Sequence, residues 1–528
     1  MLKLQYRTKM ALSLLLAVAM ICSLLGRAMP AHAAASPIVD PKQIYTYETM
    51  VKDLKELSSA YPDLIKLSTI GESEYGRKLW RMDFGKGPAV ILLNASHHAR
   101  EWMTTTLLMY MVEDYAAAYA SNDTYQKKAV RDLLDRVTFV VIPMVNPDGV
   151  TLQQKGLSAF PSNLHESLIR MNKGSRNFKR WKANAKGVDL NRQYPAGWST
   201  ISNAAPSNSY MNYKGSQPLQ AKEAAAMAKL ARELKPELAM SYHSSGEIIY
   251  WNYKTKAENL ARDRALATKY ANMTGYSLVA PSPNPSGGGF TDWFISEFGR
   301  PAMTPEIGRA VGDTHVPLSE WSRIWGQHRY TGWMLAIEGY KLWMDKQEAK
   351  EADGSIYLLA TEKGYQWPSL DSKILNANKA GVYELLRVKG DWLEIKAASG
   401  RQWISERNAL QQVEEAPSDM KVMLSKATDV YTSPLAGKPT AIKYADQKLT
   451  VQLAWKEWYM IKTSRGPLWV KKKQVTIVKK ENPTPSPSPS ASPSPSPSPS
   501  PLPSPSPSAS PLPSDAPADD NETEQQPE

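Results

Sequence analysis

The chain has 528 residues, a formal net charge of +12 and 42% hydrophobic side chains, which is enough material for more than one domain with a buried core. Its single cysteine, Cys22, excludes an internal disulfide, so burial of apolar side chains must hold the fold together. The positive charge is compatible with attraction to an anionic polymer such as a cell wall, or to acidic substrates, and equally with a merely solubilising surface. We predict no nucleic-acid partner.

The first residues have the pattern of a secretory signal peptide. Three basic residues precede the apolar run 10–25, and Ala31-His32-Ala33 then supplies a small-residue cleavage site. The run is shorter than the ~20 apolar residues that span a bilayer, which argues against a membrane anchor. We therefore predict that residues 1–33 are removed, that the protein is secreted and extracellular or cell-wall associated, and that it has no integral membrane span after cleavage.

Residues 34–350 alternate strand-like and helical runs. Strands are predicted at 89–93, 137–142 and 238–242, and helices at 103–117 and 220–234. This alternation indicates an α/β domain whose central sheet is covered by helices on both faces.

Polar residues with metal-binding chemistry follow three of the predicted strands. His98 and Glu101 lie at a strand-to-helix junction, His243 follows a later strand, and Glu306 lies in the segment T-P-E-I-G. Sheets of this class place ligands at the carboxyl ends of their strands. Two histidines and a carboxylate suit a catalytic zinc that keeps one position for water, and a separate carboxylate takes the proton of that water. An H-x-x-E spacing alone arises by chance, so the prediction depends on the whole set.

At these residues the chain resembles the zinc carboxypeptidase family. The shared motifs occur in family order between residues 43 and 347 and are H-A-R-E-W, N-P-D-G, G-V-D-L-N-R, S-Y-H-S, G-G-F-T-D-W and T-P-E-I-G. The resemblance implies a mixed central sheet, one Zn²⁺ per catalytic domain and hydrolysis of C-terminal peptide bonds.

The resemblance also implies roles for individual residues around the metal. His98, Glu101 and His243 would be the zinc ligands, and Glu306 would be the general base that activates water. Arg100 would polarise the scissile carbonyl and stabilise the oxyanion.

Further residues are assigned to substrate binding by the same resemblance. Asn191 and Arg192 would bind the terminal carboxylate of the substrate, and Asp189 would orient His98. The family has an arginine directly after a tryptophan, where this chain has Lys182. Arg180 lies two residues earlier, so either side chain is a candidate for the second oxyanion group.

The motifs are similar to a bacterial branch whose members include enzymes that cut the γ-D-glutamyl–diaminopimelate bond of peptidoglycan stem peptides. This similarity favours a peptidoglycan stem peptide as substrate. Two alternatives remain: a general secreted carboxypeptidase for ordinary peptides, and a catalytically inert cell-wall-binding protein.

The rest of the chain has a different character. The pattern W-x-x-I-K-x-x-x-G-x-x-W begins at Trp392 and again at Trp458, and each copy predicts a strand, a glycine turn and a second strand. We predict two small all-β, SH3-like modules at 351–415 and 416–480 that bind a cell-wall polymer, the alternative being one β-domain with coincidental tryptophans.

Residues 481–528, rich in proline and serine and acidic at the end, are predicted to form a disordered spacer and tail.

Overall fold

A computed structural model describes residues 37–444 and 446–478, which form two compact units that divide between Glu414 and Glu415. The predicted signal peptide and the predicted Pro/Ser spacer lie outside the described residues. Among the helices that are described, none has the length and apolar character needed to cross a membrane.

The α/β part of the first unit contains ten strands and ten α-helices among its described residues. The strands are β1 Ile65–Glu72, β2 Lys78–Gly85, β3 Ala89–Ala95, β4 Thr124–Tyr125, β5 Lys128–Ala129, β6 Val137–Ile142, β7 Leu238–Tyr242, β8 Ile248–Tyr250, β9 Ser277–Leu278 and β10 Ala302–Glu306. The helices are α1 Tyr47–Ala60, α2 Met103–Ser121, α3 Val130–Leu134, α4 Pro147–Lys155, α5 Ser162–Met171, α6 Lys222–Leu234, α7 Ala257–Thr274, α8 Phe290–Phe298, α9 Trp321–His328 and α10 Thr331–Asp345.

Eight of these strands form one mixed sheet in the order β1-β2-β6-β3-β7-β10-β8-β9. Strands β6, β3, β7 and β10 are parallel neighbours. Strand β1 pairs antiparallel with β2, β2 with β6, and β8 with β10. The predicted strands at 137–142 and 238–242 are confirmed, and β3 runs two residues further than predicted. The α/β architecture with a mixed sheet is therefore confirmed.

Helices cover both faces of this sheet because the side chains of each central strand alternate in direction. Ile91 and Leu93 of β3 belong to the core under α2 and α10, whereas Leu92 belongs to the core under α6 and α8. Gly339 lets α10 approach closely, since a Cβ atom there would lie 2.7 Å from the side chain of Ile91. Strands buried on both faces explain why the sequence shows continuous apolar runs there.

Two further sheets follow the α/β part of the chain. The first unit also contains β11 Lys350–Glu351, β12 Ser355–Leu358, β13 Glu362–Tyr365, β14 Ile374–Asn378, β15 Gly381–Lys389, β16 Trp392–Ala397, β17 Gly400–Ser405 and β18 Ala409–Gln411. Strand β19, Glu414–Glu415, lies at the division, and the second unit contains β20 Lys421–Leu424, β21 Gln447–Trp455, β22 Trp458–Thr463, β23 Gly466–Lys471 and β24 Thr476–Ile477. The all-β character of this region is confirmed, and its SH3-like identity remains a prediction.

The sequence repeat corresponds to one hairpin in each of these sheets. In β16–β17 Glu394 pairs with Trp403, and in β22–β23 Met460 pairs with Trp469 at the equivalent register. The glycine that opens each return strand, Gly400 or Gly466, has a positive φ that side chains disfavour. The predicted strand–turn–strand pattern is thus present in both copies.

The sheet β11–β18 packs against the α/β part through a buried arginine. The side chain of Arg136, directly before β6, is 2% exposed and forms an ion pair with Asp391. Its guanidinium carbon lies 4.6 Å from the ring centroid of Trp392 and 5.2 Å from that of Tyr340. The indole of Trp392 in turn donates to the Tyr340 hydroxyl at 2.6 Å. Polar and cation–π contacts therefore connect β6 and α10 to this module.

A second set of ion pairs surrounds the buried arginine. Arg407, after β17, pairs with both Asp132 and Asp135 near α3, and Lys128 pairs with Asp371 at 2.7 Å. Together these contacts make β11–β18 part of the same compact unit as the eight-stranded mixed sheet.

His328, at the end of α9, is a buried histidine that is not one of the predicted metal ligands. Its two ring nitrogens lie 3.0 Å from the hydroxyls of Tyr270 and Tyr276, and its side chain is inaccessible to solvent. Burial lowers the pKa of His328 to about 3, so the ring stays neutral in the native state.

We expect the free energy of unfolding to fall as the pH drops from 6.5 towards 3, because the unfolded chain binds a proton at His328 that the native state does not. At pH 5 this residue alone should cost about 2 kcal/mol relative to neutral pH. His328→Gln removes the titration, so chemical denaturation should show a smaller stability difference between pH 7 and pH 5 than in the wild type. Equal differences in the two proteins would contradict this assignment.

Candidate active site and metal centre

The ends of three neighbouring parallel strands bring the candidate site residues together. His98 follows β3, His243 follows β7, and Glu306 ends β10. Strands β3, β7 and β10 are adjacent and parallel, so their carboxyl ends meet at one edge of the sheet. The backbone N–H of His243 donates to Pro305 O at 3.0 Å, which fixes β7 against β10 directly beside Glu306.

The side chains of His98, Glu101 and His243 form a buried cluster. The Nδ1 atoms of the two histidines are 3.0 Å apart, and Glu101 places Oε1 at 2.8 Å from His98 Nδ1 and Oε2 at 2.9 Å from His243 Nδ1. One potential ligand atom from each residue lies within 4.8 Å of the others. The spacing of His98 and Glu101 follows from the single 3-10 turn Ala99–Glu101, which returns Glu101 towards the histidine.

This donor set fits a zinc ion. Zinc takes imidazole nitrogen and carboxylate oxygen at about 2.0–2.2 Å, so the ligand atoms of a tetrahedral site are separated by about 3.3 Å. The observed separations of 2.8 to 3.0 Å between converging donor atoms are close to that value. Three protein ligands also leave the fourth position of a catalytic site for water.

Asp189 supports the cluster from behind. Its Oδ1 lies 3.2 Å from His98 Nε2, the ring nitrogen that faces away from the other ligands, and its Oδ2 lies 3.3 Å from Lys182 Nζ. Burial alone would raise the pKa of Asp189, but the charge of Lys182 and the contact with His98 hold it well below its usual range. An ionised Asp189 fixes the orientation of the His98 ring, as carboxylates commonly do for metal-binding histidines.

The N-P-D-G motif connects the two loops that carry these residues. Asn146 donates from Nδ2 to His97 O at 3.0 Å and to Ala183 O at 3.1 Å, while its Oδ1 accepts from Gly149 N at 3.0 Å. A Cβ atom on Gly149 would lie 2.5 Å from Ala183 O, so only glycine allows this approach. The motif therefore connects the backbone beside His98 with the backbone that follows Lys182.

Glu306 is a partly buried carboxyl beside the cluster. Burial raises its pKa well above the ordinary value, the charge of Glu101 raises it further, and the charges of Lys182 and Arg100 act in the opposite direction. A carboxyl whose pKa is raised in this way suits general acid–base catalysis near neutral pH.

Arg100 lies in the turn between two of the candidate ligands. Its Nη1 donates to Arg180 O at 3.1 Å, and the same nitrogen forms an ion pair with Asp313 Oδ1 at 2.8 Å. Asp313 belongs to the loop that follows β10, and its side chain is 53% exposed, against 14% for Arg100. The guanidinium of Arg100 is thus engaged by a carboxylate that solvent reaches.

The two candidates for the second cation differ in their surroundings. Arg180 donates to the side-chain and main-chain oxygens of Asn172 at 3.2 and 2.8 Å, and its guanidinium carbon lies 4.1 Å from the ring centroid of Tyr210. Lys182 instead pairs with Asp189 and lowers the pKa of Glu306. The structure therefore brings Lys182, and not the Arg180 guanidinium, to the cluster.

Asn191 and Arg192 follow Asp189 in a short 3-10 turn. Asn191 Oδ1 accepts from Phe290 N at 2.9 Å, which aligns the start of α8 with this turn. Among the described residues, the guanidinium of Arg192 has no hydrogen bond or ion pair, although its charge lowers the pKa of Asp189 and opposes the rise at Asp292. Arg192 is therefore free to bind an anion.

A cavity of about 220 Å³ lies beside this turn, next to the start of α8. Its lining includes Tyr250, Asn284, Thr291 and Asp292. Asp292 accepts from Gly289 N at 3.1 Å, and burial raises its pKa to about 6. The cavity therefore combines an aromatic wall with an acidic group.

Sequence reasoning did not identify Asp313 or Asn146 as parts of the site. Asp313 lies in a loop without periodic pattern, and its pairing with Arg100 joins residues far apart in the chain. The N-P-D-G motif was recognised, but its bridging of two loops depends on tertiary contacts that no local signal reveals.

Comparisons with known proteins agree with this geometry. The family model described as zinc carboxypeptidase matches residues 50–325. The chain is 35% identical over 291 residues to gamma-D-glutamyl-L-diamino acid endopeptidase 1 of Lysinibacillus sphaericus, covering 54% of this chain and 71% of that protein. It is 26% identical over 277 residues to carboxypeptidase B of Bos taurus, covering 49% and 62% respectively.

Among solved structures, bovine thrombin-activatable fibrinolysis inhibitor in complex with tick carboxypeptidase inhibitor matches with a TM-score of 0.45 and 19% identity, covering 58% of this chain and 99% of that one. The family model spans more than half of the sequence, and the cluster that fits zinc lies within it. The chain accordingly belongs to the zinc carboxypeptidase family and is a zinc-dependent metallopeptidase.

Proposed function

We propose that this metallopeptidase hydrolyses the bond between a γ-D-glutamyl residue and an L-diamino acid in peptidoglycan stem peptides, and that it acts outside the cell. The observation that carries the substrate assignment is the 35% identity to a gamma-D-glutamyl-L-diamino acid endopeptidase over 71% of that protein. The signal-like N-terminus and the appended β-sheets support an extracellular, wall-associated place of action.

Each residue of the cluster has a defined part in the proposed reaction. His98, Glu101 and His243 hold the ion, which when bound supplies a Lewis acid and lowers the pKa of water. Glu306 removes a proton from the attacking water and later delivers it to the leaving amine.

Charged side chains beside the cluster stabilise the oxygen of the scissile carbonyl as negative charge develops. Arg100 and Lys182 are the two cations whose charges act on Glu306, and both are assigned to stabilising this oxygen. Arg180, which contacts Asn172 and Tyr210, supports the backbone that carries Lys182.

The leaving group would bind on the other side of the cluster. Arg192 and the amide nitrogen of Asn191 bind its terminal carboxylate, for which arginine offers a bidentate geometry. The adjacent 220 Å³ cavity receives its side chain, and the acidic Asp292 suits the amino group of a diamino acid.

Two substrates separate this proposal from a general carboxypeptidase. The purified, zinc-loaded chain is incubated with L-Ala-γ-D-Glu-meso-diaminopimelate and with an α-linked peptide of similar length, each with and without a zinc chelator. We expect chelator-sensitive release of diaminopimelate and little action on the α-linked peptide.

Preferential cleavage of the α-linked peptide would favour a general secreted carboxypeptidase and overturn the substrate assignment. Absence of cleavage together with failure to bind one zinc per chain would favour an inert wall-binding protein. Restoration of activity by zinc after chelation distinguishes loss of metal from unfolding.

A further inference from the structure

The loop that follows β10 presents a carboxylate to a guanidinium of the active site. Asp313 Oδ1 lies 2.8 Å from Arg100 Nη1. The loop is fixed on both sides of this contact. Val311 N donates to Ser245 Oγ at 2.9 Å, and the ring of His315 lies 5.4 Å from that of Trp102.

The side chains of Arg100 and Asp313 differ in their exposure to solvent, which favours replacement of Asp313 by another carboxylate. The Arg100 side chain is 14% exposed and Asp313 53% exposed, so the arginine is held in the site while the carboxylate is reached by water. An ion pair that water reaches from one side is weakened by solvent and salt screening. A carboxylate brought by a bound substrate can therefore replace Asp313 at small cost.

The two arginines of the site lie in different surroundings. The charge of Arg192 acts on Asp292 and Tyr250, which line the cavity proposed for the leaving group. Arg100 contacts Asp313, and its charge acts on Glu306. Two guanidiniums with separate neighbours suit two separate carboxylates of one substrate.

A γ-D-glutamyl linkage supplies such a second carboxylate. The scissile amide is formed by the side-chain carboxyl of the glutamyl residue, so its α-carboxylate remains free and is separated from the reacting carbonyl by the α-carbon and two methylenes. A peptide linked through α-carboxyls has no backbone carboxylate at that place. Arginine has five N–H donors, which allows one guanidinium to contact both the scissile carbonyl and a neighbouring carboxylate.

We propose that Arg100 binds the free α-carboxylate of the γ-linked residue before the scissile bond, and that Asp313 occupies this anion site until substrate displaces it. This proposal rests on the proposed function and adds the residue that distinguishes γ-linked from α-linked substrates. Asp313 acts through Arg100 and takes no part in bond cleavage.

The test compares L-Ala-γ-D-Glu-meso-diaminopimelate with the same tripeptide carrying an α-carboxamide on the glutamyl residue. The two differ only in the proposed anion. For the zinc-loaded wild type we expect kcat/KM to be about tenfold or more higher for the free acid, because charge-assisted hydrogen bonds are the strong ones. In Arg100→Gln this ratio should fall to nearly one, and Arg100→Lys should retain part of it.

Asp313→Asn removes the competing carboxylate. We expect it to lower KM for the free acid several-fold relative to KM for the carboxamide, because only the free acid competes with Asp313 for Arg100. Arg81→Gln, which breaks an arginine–carboxylate pair on β2, is the matched control and should change neither substrate. Zinc content and thermal unfolding of each variant show whether the fold is intact.

Three results would overturn the inference. These are a wild-type ratio near one, an equal loss for both substrates in Arg100→Gln, and a KM that rises for both in Asp313→Asn. Each leaves the proposed function standing, because a γ-linked peptide is still cleaved. If neither γ-linked tripeptide is cleaved while an α-linked peptide is, both the proposed function and this inference fail.

Discussion

Replacing Glu306 by Gln is expected to reduce turnover by about a hundred- to ten-thousand-fold while zinc remains bound. The amide keeps the size of the side chain at the end of β10 but no longer accepts a proton, and general acid–base catalysis contributes about that factor. Because Glu306 is not one of the three converging donors, the metal content measured by atomic absorption should stay at one per chain.

Two further variants define this result. His243→Ala removes one of the three donors, so zinc content and activity should be lost together. Glu258→Gln, an exposed change at the start of α7, should alter neither property. A fully active Glu306→Gln enzyme would exclude Glu306 as the proton acceptor.

The largest effect on stability is expected from Asp391→Ala. This change leaves Arg136, whose side chain is 2% exposed, without its carboxylate partner between the peptidase sheet and β11–β18. Breaking a buried ion pair by removing one partner costs about 3–5 kcal/mol. Chemical denaturation should therefore show a loss of that order, whereas Asp353→Ala, an exposed change nearby, should stay within about 0.5 kcal/mol of the wild type.

A double variant separates the buried charge from the packing around it. Arg136→Met removes the cation, so Asp391→Ala combined with Arg136→Met should be more stable than Asp391→Ala alone. Losses that simply add in the double variant would show that the two side chains do not interact energetically.

The parts of the fold that could be predicted are those with a local signature. Buried strands such as β6 appear as continuous apolar runs, and the polar residues after β3 and β7 stand out against them. The convergence of His98, His243 and Glu306 then follows from the rule that parallel strands end at one edge of a sheet.

The parts that could not be predicted depend on contacts between distant segments. Arg136 and Asp391 are separated by 255 positions, and nothing in the sequence around either indicates that they pair. The choice between Lys182 and Arg180 likewise required the contacts of each side chain, because both flank Trp181 equally in sequence. Propensity and periodicity describe neighbours along the chain and carry no information about such pairings.

The position of the Arg136 contact has a consequence for how an attached enzyme would meet its substrate. Arg136 precedes β6, whereas the metal ligands follow β3, which runs parallel to β6. The sheet β11–β18 therefore contacts the amino-terminal ends of these strands, and the metal ligands lie at the carboxyl-terminal ends, about 20 Å away. If β11–β18 bind a cell-wall polymer, the metal ligands lie at the end of the sheet that is opposite to their contact with it. Under the proposed function, an enzyme held in this way would cleave stem peptides of neighbouring polymers rather than those of the polymer that it binds.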